Sequence, residues 1–113
     1  MASRLVLLAI CAALASPALA AGKDPASEPG KTYITCLRAT SNEFAEGTCR
    51  DPDQIISAAK GVCEDYLREF AAALRTTRSY RRTMDMVEIL HSQMRDELTA
   101  RILKTQMDSG RCQ

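Results

Sequence analysis

Apolar positions recur at helical spacing along most of the chain. From residue 31 to 46, Tyr33, Cys36, Leu37, Thr40 and Phe44 fall on one side of a wheel turning about 100° per residue, predicting a first helix. Gly47 follows as a left-handed helix end. Asp51, Pro52 and Gln54 then supply a side-chain acceptor, a proline at the first helical position and a capping-box partner. They start a second helix, predicted over 52–77, with Ile55, Ala59, Val62, Tyr66, Phe70 and Ala73 on one face and Cys63 and Leu74 on its flank. Its alanines at 58, 59, 71, 72 and 73 favour helix and let a neighbour approach closely. Met84, Val87, Leu90, His91, Met94, Leu98 and Ile102 share the face of a third helix, predicted over 83–107. Neither glycine nor proline separates Val62 from Ser109, so composition permits one continuous helix there. The cluster of Thr76, Thr77, Ser79 and Thr83 predicts a bend instead, with Thr83 as the next cap. The expectation is an all-α, three-helix up-down-up bundle.

The N-terminus reads differently. Arg4 is the only charge in residues 1–20, residues 5–14 are apolar, and Ala18, Leu19 and Ala20 close the segment. That layout predicts a secretory signal cut after Ala20, and its apolar run is too short for a lasting transmembrane anchor. Cys11 follows Leu8, Ala9 and Ile10 as in a lipid-attachment box, but the bulk of Ile10 argues against lipidation. Residues 21–30, with Lys23, Asp24, Pro25, Ser27, Glu28, Pro29 and Gly30, offer almost nothing to bury and are expected to be a disordered leader. Residues 31–113 then form one disulfide-bonded domain, periplasmic or secreted.

Losing the signal takes one of five cysteines and leaves Cys36, Cys49, Cys63 and Cys112. An even number behind an export signal predicts two disulfides, and four cysteines permit three connectivities. Pairing Cys49 with either Cys36 or Cys63 would collapse about ten residues of helix into a turn. Helices folded back at the 47–51 turn bring Cys36 level with Cys63, and the third helix returns Cys112 to the height of Cys49. Register therefore predicts Cys36 with Cys63 and Cys49 with Cys112. A core with no Trp and 4% aromatic residues is small, and such bridges, at about 2–4 kcal/mol each, matter to it.

Charge adds little. The chain has 15 Lys and Arg against 14 Asp and Glu, and removing Arg4 with the signal leaves a balance of zero, which argues against nucleic acid as a partner. Arg68, Arg75 and Arg82 recur every seven residues, with Arg78 beside them. If the second helix runs on, they form a stripe that could meet an anionic periplasmic protein or cell-envelope component; the plainer account is solvated surface. His91 is the only histidine, three after Glu88, and one such pair is too few for a di-iron site. Met84, Met86, Met94 and Met107 suggest copper handling but lack a tight cluster, and gap-filling explains them better. No Cys-x-x-Cys, zinc spacing or catalytic triad is present, so no cofactor, metal or enzymatic activity is expected. Ile89, Leu103 and Met107 make a thin second apolar strip, a candidate partner face.

Tyr33, Cys36 and Ala39, followed by Ala58, Ala59 and Cys63, resemble a class of small exported four-cysteine helical proteins of proteobacteria, a likeness that brings no function with it. Cys36 and Ala39, then Glu46, then Cys49, Asp51 and Pro52 resemble the entry of periplasmic lysozyme-inhibitor domains, from which Cys63 departs. That second likeness implies inhibition of a cell-wall hydrolase through a loop over residues 48–53. The first expectation remains a non-enzymatic binding or structural module.

Overall fold

The computed structural model describes residues 24–112, and every regular element in that span is helical. Four helices follow one another: α1 (Ser27–Gly47), α2 (Pro52–Val62), α3 (Glu64–Arg75) and α4 (Tyr80–Asp108). The expected signal, Cys11 and the first residues of the leader lie outside the described residues.

α1 begins four residues earlier than the apolar pattern indicated. Asp24 accepts from the amide of Ala26, Ala26 is buried, and its carbonyl accepts from Gly30. Pro29 sits in the first turn, where a missing N–H costs nothing. Residues 27–30, assigned to a disordered leader by their polarity, are therefore helical. Gly30 is buried against α3: a methyl group placed on it would lie 3.0 Å from Phe70 Cε1. At the other end Gly47 is the last helical residue, without left-handed geometry, and Thr48 leaves in an extended conformation at φ −141°.

The helix predicted over 52–77 is two helices. Cys63 sits between them at φ −92° and ψ 11°, outside regular helical geometry, while its amide still reaches Ala59 and its carbonyl still accepts from Leu67. The backbone bends there without losing its ladder. The bend turns the apolar face by a fraction of a turn, so Ile55, Ile56, Ala59, Cys63, Phe70 and Leu74 are buried, and Val62 and Tyr66, expected inside, are exposed. α3 stops at Arg75. Thr76 and Thr77 amides turn back to Ala73 and Leu74, and Ser79, in place of the expected Thr83, caps α4 by accepting from the amide of Arg82. Thr83 is buried instead, its hydroxyl without a partner among the described residues, and Met84, expected in the core, is exposed.

α1 and α4 run side by side in parallel. Tyr33 meets His91, Arg38 meets Glu97, and Thr48 meets Gln106, at sequence separations of 58, 59 and 58. Both helices thus advance together residue for residue. α2 and α3 return between them in the opposite direction, as Asp53 with Arg95 near one end and Asp24 with Arg78 near the other require. Tyr33, Leu37, Leu74, Leu98 and Ile102 are fully buried where the legs meet. Each such side chain contributes roughly 1.5–3 kcal/mol.

Two disulfides close this frame. Cys36 joins Cys63 with Cα atoms 6.0 Å apart, and Cys49 joins Cys112 at 5.4 Å. The first ties α1 to the bend, with the Thr40 hydroxyl 3.6 Å from Cys63 Sγ. The second closes a separation of 63 residues, worth roughly 4 kcal/mol in lost freedom of the unfolded chain.

Two outcomes follow from this packing. Gly30→Val should lower stability by about 1–3 kcal/mol, read as a fall in urea midpoint, because Phe70 and α1 must separate. Under graded reductant, alkylation and mass mapping should find Cys49–Cys112 opened before Cys36–Cys63, since Cys63 is fully buried and Cys49 is exposed. Opening in the reverse order would contradict the burial seen here.

Candidate functional site

The connection between α1 and α2 leaves residues 48–51 outside any helix, and all four are exposed. Exposed connections of this kind usually move. This one is held at three points. Cys49 is bonded to Cys112. The side-chain amide of Gln106 donates to the carbonyl of Arg50 at 2.8 Å and to that of Thr48 at 3.3 Å. Asp51 accepts at its carbonyl from the amides of Gln54 and Ile55, which joins the loop to the first turn of α2. Its side chain makes no cap hydrogen bond, so the expected capping box is replaced by Pro52 and the backbone. Asp53, just beyond, pairs with Arg95 of α4 at 3.3 Å.

Gln106 is buried, a role that its polarity does not suggest. Its signal was present: Met94, Leu98 and Ile102 step by four along the core stripe, and the next step lands on Gln106. A buried amide on an apolar stripe needs polar partners, and the nearest unfilled ones are the carbonyls of a loop.

Two hollows flank the loop. One, of about 260 Å³, has Phe44, Ile55 and Ala58 as its apolar surface and Thr48, Arg50 and Gln54 as its polar rim. The other is wide and shallow, between Asp51, Pro52 and Asp53 on one side and Asp96, Thr99 and Leu103 on the other. Leu103 and Met107 of the expected second strip are exposed near this end of α4, whereas exposed Ile89 lies towards its other end.

The four arginines of the expected stripe do not share a helix. Arg68 pairs with Glu64 and Asp65 on α3. Arg75 stands 5.4 Å from the centroid of the Tyr80 ring, a cation–π contact across the α3–α4 turn. Arg78, in that turn, binds Asp24 and holds its carboxyl below the usual range. Arg82 lies on α4, beside Asp85 and above Phe70. The stripe assumed a helix running through residue 82, and the turn after Arg75 breaks it.

His91 is half-buried, with Nε2 2.7 Å from Tyr33 Oη. Burial first, and then the positive charge of Lys60, push its pKa below the ordinary value. Burial raises the Tyr33 phenol to about 12. The Tyr33 ring meets this imidazole edge-on, with centroids 5.8 Å apart, and so joins α1 to α4. Among the described residues no group of three His, Cys, Asp or Glu side chains is placed to hold a metal ion, and no helix is long and apolar enough to cross a membrane. No family model, curated protein or solved structure matches this chain.

Because the folded state favours neutral His91, the unfolded chain takes up a proton that the folded chain refuses. The resulting stability is present above pH 6.5 and is lost as pH falls through the lowered folded value. Urea midpoints should drop on mild acidification, and His91→Gln should flatten that drop. An unaltered profile would place the acid sensitivity elsewhere. Gln106→Leu should cost about 1–3 kcal/mol and speed tryptic cleavage after Arg50, because two carbonyls lose their donor and the loop its restraint.

Proposed function

We propose that this protein is an exported helical module that works by binding, with the pinned loop over residues 48–51 and the start of α2 as its contact surface. The observation that carries this reading is the restraint itself. A disulfide and two hydrogen bonds from a buried glutamine hold a connection of four exposed residues. A loop already ordered loses less freedom on association, so the fold lowers the cost of binding where contact would occur. Two disulfides suit an oxidising compartment, which accords with export by a cleaved signal. The partner class is a periplasmic protein or another component of the cell envelope.

The arginines at 68, 75, 78 and 82 serve this reading less well. Three already face a local carboxylate or ring, and four scattered cations make a weak footprint.

A second reading is favoured by one specific feature. Arg50 is exposed on the restrained loop, and a guanidinium carried on a held backbone suits the paired carboxylates of a glycoside hydrolase. On this reading the protein blocks a cell-wall hydrolase by inserting the loop into its cleft.

Capture from an exported-fraction extract tests the first reading. Arg50→Glu should lose partners that wild type retains, while charge reversal at Arg75, Arg78 and Arg82 together should keep them. If the loop variant recovers the same proteins as wild type, the loop is not the contact surface. Lysozyme activity with and without excess protein tests the second, and undiminished turnover removes it.

A further inference from the structure

We propose that the hollow beside the loop receives one apolar side chain from the end of a partner polypeptide, with Arg50 taking that chain's terminal carboxylate. This rests on the loop being the contact surface and specifies what it recognises. The hollow is about 260 Å³, below the range of about 300–1,000 Å³ typical of sites that enclose a whole small molecule. A single large apolar side chain fits that scale. Its apolar lining is Phe44 of α1, half-buried, with Ile55, buried, and Ala58, exposed, of α2. The rim is Thr48, Arg50 and Gln54, so its one charge is a cation.

None of the ion pairs among the described residues uses Arg50. Its backbone is nevertheless fixed, because Gln106 holds its carbonyl and the preceding residue is cross-linked. A guanidinium presented from a fixed backbone, at the edge of an apolar hollow, complements a carboxylate and an apolar group carried close together. In a polypeptide the last residue carries both on one Cα. The carbonyl of Arg50 faces Gln106, and its side chain is the charged group at the rim of the hollow.

Calorimetry with three short peptides tests this: acetyl-Gly-Gly-Phe with a free carboxylate, the same peptide as its amide, and acetyl-Gly-Gly-Ala with a free carboxylate. Wild type should bind the first at least about tenfold more tightly than either of the others. Arg50→Gln should abolish the preference for acid over amide. Ala58→Gln, a change at an exposed position of α2, should fill the mouth and weaken the phenylalanine acid while leaving the urea midpoint near that of wild type. Equal affinity for acid and amide, an acid preference that survives in Arg50→Gln, or no binding of any of the three at millimolar concentration would each overturn the inference. If the peptides fail while Arg50→Glu still loses its partners in the capture experiment, the loop remains the contact surface and only the identity of what it holds is wrong.

Discussion

The bridge between Cys36 and Cys63 is the constraint around which the rest of this fold is arranged. A disulfide needs its Cα atoms within about 4.4–6.8 Å, so this one fixes the height and the facing sides at which α1 and the junction of α2 with α3 meet. The bend at Cys63 is that junction, and Gly61, two residues before it, is exposed and packs against nothing. The bend also decides which side chains reach the interior. Ile56 and Ala59 before it and Phe70 and Leu74 after it are buried, while Val62 and Tyr66 are exposed to solvent. The close approach of α3 to Gly30 belongs to the same geometry, since Phe70 can lie against the α1 backbone only where a side chain is missing.

Parallel packing of α1 with α4 gives the second level of order. Parallel neighbours need a connection that travels the length of the bundle, and α2 with α3 is that connection. Three polar contacts mark the shared register: a phenol on an imidazole, a guanidinium on a carboxylate, and an amide on two carbonyls. Hydrogen bonds of this kind add modest net stability, but a slip of a turn would leave the buried Gln106 amide without its carbonyls. An aliphatic core with interchangeable leucines and isoleucines would discriminate far less between registers.

Much of this was legible in the sequence. Spacing of Tyr33, Leu37 and Thr40, and of Met94, Leu98 and Ile102, identified the buried faces of α1 and α4, because a long amphipathic helix repeats its signal many times. The sequence was less informative wherever local preference met tertiary contact. Pro29 and Gly30 read as a leader by composition, yet a proline is harmless in a first turn and that glycine is needed against Phe70. No breaking residue stands at position 63, so a regular helix was the natural expectation and the bend came from packing and the bridge. Thr83 and Ser79 are both credible caps, and the turn geometry chose Ser79. The pinned loop was visible as a turn, but its restraint depends on Gln106, whose role exists only once the distant loop is beside it.

That dependence has a bearing on how the molecule acquires its exposed surface. Residues 48–51 are held by groups at positions 106 and 112, in the last turn of α4 and just past it. While the polypeptide emerges from its N-terminus, the first two helices can meet and even form their own bridge with the loop between them still slack. The last turn of α4 must arrive and its cysteine be oxidised before that loop takes its final shape. The loop therefore takes its final shape only after α4 is in place, and α1 and α2 can form without it.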